Sequence, residues 1–453
     1  MLVRFTIENF LSFKKKTSFT MIPNEVRQKP FHKNKPVKGI STLKTSVIYG
    51  ANASGKSNLA KAMAFGRFMV LRGFPSDEII DYQTFRLDKS TQSASSMLEY
   101  EIQSVGKNYA YGFSFNKERI LLEWLYEIDK TGQRCIFERD NQKQLLDLTY
   151  ILERNKKEEE KSFIEIIAKS TPDNQLCLHE FSSKKVQGNV SDISDILNVY
   201  NWFRKVLTVI FPEDKYKEGI LSEISDKEDV HDLFESLLSY FDTGVDGVKL
   251  EDVDINNIPV PSGIVEQIRK ELLNTKTENR RSILSTPDFT FFFTKKNNDI
   301  RVQKFMTKHT VKGSKVPVYF DTKDESDGTN RMIDFIPLIM DLLRGDNVFV
   351  IDEMERSLHP NLIYDIFDLF LNYANKTNSQ LIVTTHESNL MTRKLLRKDE
   401  IWFVTKDKDG SHLYSLDEYN VKFDEHVMKD YLLGRYKGIP NLGNRDNLNL
   451  IKE

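Results

Sequence analysis

Residues 47–59, VIYGANASGKSNL, constrain this chain more than any other stretch. In register they contain Gly50, Ala51, Asn52, Ala53, Ser54, Gly55, Lys56 and Ser57, a complete GxxxxGK[ST] loop, followed by Asn58. The loop comes after an apolar run, Val47-Ile48-Tyr49, that reads as a buried strand. It leads into Leu59, Met63, Phe65 and Met69 at helical spacing. Glycines let such a loop curl so that successive N–H groups face phosphate oxygens, and the following helix adds its positive end. On this reading residues 50–58 hold the phosphates, Lys56 reaches the β- and γ-phosphates, and the Ser57 hydroxyl takes a place on Mg²⁺.

With 453 residues the chain has room for two or three structural units of ~100–200 residues each. Lys+Arg 65 against Asp+Glu 67 gives a net charge of −2, which excludes a uniformly basic nucleic-acid coat and leaves local patches open. The two cysteines, Cys135 and Cys177, form neither a disulfide framework nor a metal-ligand pair, which fits a reducing compartment. Arg4, Glu8 and Asn9 interrupt the start too early for a signal peptide, and no apolar run approaches the ~18 residues of a membrane span. The expectation is a soluble, cytoplasmic protein without a membrane partner.

Alternation over residues 1–22 predicts a strand hairpin ahead of the loop, and residues 83–87, 97–105, 109–116 and 124–129 predict an antiparallel sheet. Gln83 stands between these parts, where a glutamine can sense Mg²⁺ and a γ-phosphate; a lone surface glutamine is the plainer reading. The charged run 156–161 reads as a solvated helical face. Ile193, Ile196, Leu197, Tyr200, Phe203, Leu207 and Ile210 predict one amphipathic helix. Residues 233–241 and 264–272 predict two more. No heptad persists, so a long coiled-coil arm is not expected. Asp252 and Asp254 make a DxD that reads as an acidic loop rather than a metal-binding nuclease fragment. The chain therefore divides into an N-terminal lobe (1–150), a helical insertion (151–285) and a C-terminal lobe (286–453).

Chemistry returns in the C-terminal lobe. Residues 325–329, ESDGT, precede an apolar helical face from Met332 to Leu343. Then Val348-Phe349-Val350-Ile351 runs directly into Asp352 and Glu353, a strand buried on both faces with carboxylates at its C-terminal end. Asp352 suits the Mg²⁺ shell, and Glu353 is placed to accept a proton from an attacking water. Residues 357–360, SLHP, precede another helix, and the buried run 381–385 ends on His386. Such a histidine by itself reads as packing; beside Lys56, Asp352 and Glu353 it reads as a γ-phosphate switch.

Taken in order, GANASGKS, ESDGT, VFVIDEME, SLHP and TTHES resemble the Walker A, signature, Walker B, D-loop and switch-histidine set of ABC-type ATPases. The spacing is similar to that of the chromosome-maintenance, RecF and overcoming-lysogenization-defect branch. IENFLSF, YAYGFSF, EWLYEI, FDTGVDGV and YLLGRYKGIP resemble the stand-alone ATPases of bacterial anti-phage operons, most closely the ATPase subunits of PARIS systems. The resemblance implies an α/β ABC-type head with a mixed central sheet, an antiparallel β lobe and an inserted helical subdomain. It also implies ATP and Mg²⁺ as cofactors and a homo-oligomer, in which Ser326 and Gly328 of one subunit close on the phosphate loop of another. Where the family pattern begins Leu-Ser-Gly-Gly this chain has Glu325-Ser326-Asp327-Gly328, and the Asp327 charge beside a triphosphate would slow turnover. A slow sensor ATPase controlling a separate Toprim-type effector nuclease, with a phage-encoded trigger, is the function so implied. A DNA-binding repair or chromosome-maintenance ATPase is the alternative, and DNA binding stays open.

Overall fold

The computed structural model describes residues 1–25, 28–214, 216, 227–275, 281–286, 288–297, 299–374, 377–419 and 427–440. Two compact units emerge, and neither is a single stretch of chain. One comprises Met1–Pro212, Gly345–Glu355 and Phe367–Glu453; the other comprises Glu213–Arg344 and Arg356–Ile366.

A six-stranded sheet carries the first unit, with strands in the order Gly410–Ser415, Ile401–Asp407, Thr45–Gly50, Gln380–Thr384, Val348–Ile351 and Leu207–Ile210. All neighbours pair in parallel except Gly410–Ser415, which runs antiparallel to Ile401–Asp407. The three middle strands are buried along their whole length, which is why they read as unbroken apolar runs. Val47, Val383 and Ile351 lie level across them. The segments that follow therefore emerge side by side at the carboxyl edge, where open α/β sheets bind ligands.

The unit's other sheet is antiparallel and seven-stranded, in the order Thr17–Thr20, Leu2–Glu8, Ser96–Ser104, Lys107–Phe115, Ile120–Asp129, Gly132–Asp140 and Leu145–Asp147. Its first pair is the expected hairpin. Gln380 joins the two sheets: its Oε1 accepts the Leu2 N–H at 2.7 Å, and its amide donates to the Leu2 and Leu43 carbonyls at 3.0 and 2.9 Å. The helix that follows the phosphate loop, Lys56–Leu71, packs on this sheet so closely that a Cβ on Gly66 would stand 2.2 Å from the Tyr100 hydroxyl. That hydroxyl donates to the Met63 carbonyl at 2.9 Å. Glycine inside a helix costs ~1 kcal/mol relative to alanine, and here the close approach demands it. Ile164, Ala168, Leu178 and Phe181, from the helices after residue 150, complete the same core.

Several expectations are corrected. The apolar positions of 193–210 do not share one helix. Ser194–Asn201 is helical, Trp202–Val206 is a π-helical turn, and Leu207–Ile210 becomes the edge strand beside Val348–Ile351. Over so short a run Leu-Thr-Val-Ile, three of its four residues β-branched, satisfies either period, and pairing decides. Arg67 Nε fixes the turn, 2.9 Å from both the Phe203 and Leu207 carbonyls. Residues 83–87 form no strand, because side chains take the backbone partners. The Phe85 N–H goes to Asn9 Oδ1 at 3.1 Å, and Thr91 Oγ1 donates to the Phe85 carbonyl at 2.7 Å. In the charged run, Glu160 is buried and accepts from Ser191 Oγ at 2.7 Å, so that helical face is not wholly solvated.

The second unit holds an antiparallel sheet in the order Gly247–Val253, Asp299–His309, Thr290–Lys296 and Arg281–Ser285, with Val318–Phe320 also paired to Asp299–His309. Val265 and Leu272 of helix Ser262–Leu273 pack on Phe291, Phe293, Ile300 and Val302. Residues 151–285 are thus not purely helical: the alternation in Gly247–Val253 was masked by its acids. Asp252 is held by Arg301 at 2.6 and 2.8 Å, and Asp254 accepts the Asn256 N–H at 2.9 Å. Among the described residues no three His, Cys, Asp or Glu side chains group to hold a metal, and no helix is long and apolar enough to cross a membrane.

Gly66→Ala should lower stability by ~1–3 kcal/mol despite alanine's better helix propensity, because the new methyl overpacks against Tyr100. The urea unfolding midpoint reads this directly, and Gly66→Ala combined with Tyr100→Leu should recover part of the loss.

Candidate functional site

Strand Thr45–Gly50 delivers the phosphate loop at the carboxyl edge, and the loop's curl needs left-handed backbone at Ala53 (φ 60°) and Gly55 (φ 112°). A Cβ on Gly50 would lie 2.5 Å from the Val404 carbonyl and 2.6 Å from Ser54 Oγ. One on Gly55 would lie 2.2 Å from Ser411 Oγ and 2.6 Å from Ser12 Oγ. Both positions therefore exclude any side chain. Ser411 Oγ is 2.7 Å from Ser12 Oγ and 2.6 Å from the Ser54 carbonyl, while Asn58 Nδ2 donates to Ser12 Oγ at 2.8 Å. These contacts clamp the loop from outside. Ser12 lies in the quoted IENFLSF stretch, but nothing in the local pattern singles out Ser411.

Lys56 is buried, and its ammonium donates to the Gly50 carbonyl at 2.7 Å and the Ala51 carbonyl at 3.3 Å. It also stands 3.0 Å from His386 Nε2, which accepts as a neutral imidazole. Burial pushes the Lys56 pKa down, and Glu355, Asp352 and Glu353 push it back up. Burial and then the Lys56 charge hold His386 below its ordinary value, opposed by Glu355 and Glu353. Glu355, which sequence reasoning passed over, accepts the His386 backbone N–H at 2.8 Å through Oε1; its buried Oε2 has no hydrogen-bond partner.

Asp352 and Glu353 share a single hydroxyl. Thr384 Oγ1 donates to Asp352 Oδ1 at 2.5 Å and accepts the Glu353 N–H at 3.0 Å. Asp352 is buried, and its own N–H is held by the Ile210 carbonyl at 2.9 Å, so the corrected edge strand supports the site. Glu353 is left-handed at φ 49°, which for a residue with a side chain costs ~1–3 kcal/mol and aims its carboxylate away from the strand direction. Gln83 is exposed and lines a cavity of about 650 Å³ with Ser12, Asn58, Lys61 and Lys406, while its carbonyl accepts the Leu11 N–H at 2.8 Å.

Lys56, Ser57, Gln83, Asp352, Glu353 and His386 thus all belong to the first unit, whereas Ser326 and Gly328 belong to the second. There Ser326 Oγ accepts the Thr329 N–H at 3.1 Å, capping helix Asp327–Arg344. A Cβ on Gly328 would stand 3.6 Å from the Ser357 carbonyl.

The residues present fit a nucleoside triphosphate. Two glycines form a cradle closed to side chains, the buried Ser54 hydroxyl has no partner, and the Lys56 ammonium is turned back onto its own loop carbonyls. Ser57 and the oriented Asp352 carboxylate offer the oxygen ligands that a hard divalent cation prefers.

A phosphate loop, an acidic strand end and a histidine on adjacent parallel strands define the class: a P-loop nucleotide-binding α/β domain. The chain belongs to the family described as "AAA domain, putative AbiEii toxin, Type IV TA system", whose model matches residues 46–392. It therefore carries an AAA-type ATPase domain. No curated protein sequence matches it. Among solved structures it is similar to the SMC head domain from Thermotoga maritima (13% identity, 91% of this chain and 98% of that one, TM-score 0.36). It is also similar to an Smc head bound to the C-winged helix domain of ScpA (13%, 91% and 97%, TM-score 0.39). A third is the Smc head with an extended coiled coil bound to the C-terminal domain of ScpA, derived from Pyrococcus furiosus (13%, 96% and 99%, TM-score 0.39).

In an NMR titration of ¹³C-labelled histidine, His386 should titrate below its ordinary value of 6.5, and Lys56→Met should move its midpoint upward by removing the adjacent positive charge. An unmoved midpoint in Lys56→Met would contradict the contact.

Proposed function

We propose that this chain binds and slowly hydrolyses ATP as a homodimer or larger homo-oligomer, and that it controls a separate effector in anti-phage defence. The observation that carries the ATPase reading is the convergence of Lys56, His386, Asp352 and Glu353 from neighbouring strand ends. Lys56 leaves its loop carbonyls for the β- and γ-phosphate oxygens, with the loop amides and the helix N-terminus around the same charge. Ser57 and Asp352 hold Mg²⁺, whose chemistry is to neutralise charge on the phosphoryl oxygens. Gln83 would sense Mg²⁺ and the γ-phosphate, and Asn58 would join the loop in holding the nucleotide. Glu353 takes the proton of the attacking water, and neutral His386 donates its ring N–H to a γ-phosphoryl oxygen. Thr384 keeps both acids aimed.

Ser326 and Gly328 act on the phosphate loop of a second copy, so ATP joins subunits and hydrolysis releases them. Asp327, exposed beside Ser326, brings negative charge to the triphosphate and slows the cycle. The resemblance to PARIS ATPases is what supports an effector outside this chain, and the family description, which names a toxin–antitoxin system, is in keeping with a role in defence. A Toprim-type nuclease released by a phage-encoded trigger is that effector.

Lys56→Ala should abolish ATP binding, and Glu353→Gln should keep binding while lowering turnover by about 10²–10⁴. Radiolabelled nucleotide binding and phosphate release measure the two, and equal turnover in Glu353→Gln and wild type removes Glu353 as the base. Thr384→Val should raise the Mg²⁺ concentration needed for half-maximal turnover several-fold while Thr384→Ser does not; identical Mg²⁺ curves would remove Thr384 from the site. Co-purification of a Toprim protein encoded beside this chain tests the defence reading separately from the chemistry.

A further inference from the structure

The YLLGRYKGIP segment plays no part in the chemistry above, yet it is built against the phosphate loop. Tyr436 is buried and stacks on Phe403 with centroids 5.5 Å apart, and Tyr414 Oη donates to the Tyr436 carbonyl at 2.6 Å. Two residues on, Tyr431 Oη donates to the Gly438 carbonyl at 3.1 Å. Gly438 is packed so tightly that a Cβ there would stand 3.2 Å from Tyr431, 3.3 Å from Phe403 and 3.7 Å from the Cα of Gly50, the first glycine of the loop. Lys437, between these two pinned residues, is exposed and left-handed at φ 60°. A turn that forces a lysine into glycine's territory, with both neighbours buried, fixes where that lysine stands.

It lines a cavity of about 870 Å³ together with residues 51–54 of the phosphate loop. Asn52 and Ala53, at the crown of the loop, are exposed. Lys406 lines the same cavity, and so does Asp407, whose Oδ1 accepts from the Asp409 N–H at 2.7 Å and lies 3.0 Å from His412 Nε2. The sheet order gives the placement its meaning. Thr45–Gly50 lies between Gln380–Thr384, which leads to His386, and Ile401–Asp407, whose Phe403 supports the Lys437 bend. Lys437 thus shares a cavity with the crown of the loop, from the segment packed on strand Ile401–Asp407.

We propose that Lys437 is a second cation of the triphosphate site, presented by the 433–440 bend to the γ-phosphoryl end of bound ATP. The proposal rests on the ATP-binding reading. Its role is that of a cation supplied from outside the loop, stabilising charge on the γ-phosphoryl oxygens that ADP lacks. The packing of Gly438 close to Gly50 keeps the bend beside the loop.

The test uses the full chain carrying Glu353→Gln, so that ATP stays uncleaved, with fluorescent ATP and ADP analogues. Adding Lys437→Met should weaken ATP about tenfold and leave ADP within about twofold, the loss expected for one charge-assisted contact. Lys437→Arg should recover most of it, and Lys429→Met, an exposed lysine that does not line the cavity, should bind like the parent. Unchanged ATP affinity in Lys437→Met overturns the proposal, and so does equal weakening of ATP and ADP, which would mark an effect on loop shape. If Lys56→Ala binds ATP as tightly as the parent, the phosphate-loop reading fails instead, and this proposal falls with it.

Discussion

The register of three buried parallel strands governs the site. Val47, Val383 and Ile351 stand level, so Gly50, Thr384 and Asp352 leave the sheet within one side chain of each other's neighbours. A slip of one residue in Gln380–Thr384 would turn Thr384 to the opposite face. The hydroxyl that serves both Asp352 and the Glu353 N–H would leave the site, and His386 would no longer meet Lys56. Gln380 opposes that slip at the far end of the same strand. Its amide is spent on Leu2 and Leu43, and Leu43 leads into the phosphate-loop strand. A buried amide with its partners satisfied is costly to displace, so position at the amino edge of the strand is transmitted to chemistry at the carboxyl edge.

Electrostatics explains how the site accommodates a buried ammonium. A buried ammonium is costly unless paired, and burial does depress the Lys56 pKa. Two loop carbonyls and a neutral imidazole accept from it, and Glu355, Asp352 and Glu353 supply the countercharge. In the proposed ATP complex, phosphate oxygens would offer the same ammonium stronger acceptors, so binding would exchange one set of hydrogen bonds for another rather than create a charge site from nothing. His386 would be freed in the same exchange. Lysine and histidine are coupled before any nucleotide arrives.

The parts of this arrangement that the sequence disclosed are those written as contiguous motifs. Residues 50–57 and 348–353 each carry backbone type and chemistry in one run, and their strands are buried on both faces. The parts it did not disclose are held by single polar contacts between distant residues. Ser411 matters because Gly55 leaves room for its hydroxyl, and Thr384 matters because it is level with Asp352; neither fact has a local pattern. Leu207–Ile210 was hidden for a different reason, since four apolar residues following a helix continue its period as well as they begin a strand. Residues 83–87 misled in the opposite direction. Their alternation is that of a strand, but Asn9 and Thr91 had already engaged Phe85.

Backbone strain at the carboxyl edge bears on what the site is for. Ala53 and Glu353 both adopt left-handed backbone that glycine would occupy freely. At Glu353 a glycine would relieve the strain and lose only the carboxylate. The carboxylate is kept, and the Glu353 N–H bond to Thr384 together with the following Met354 N–H bond to the Thr384 carbonyl at 3.2 Å holds the unfavourable turn in place. The structural bond to the threonine hydroxyl is made by Asp352, so the Glu353 carboxylate is not needed for it. A strained, half-buried glutamate, next to a strand-end aspartate and across from a buried lysine, is the arrangement on which the proton-accepting role proposed for Glu353 rests.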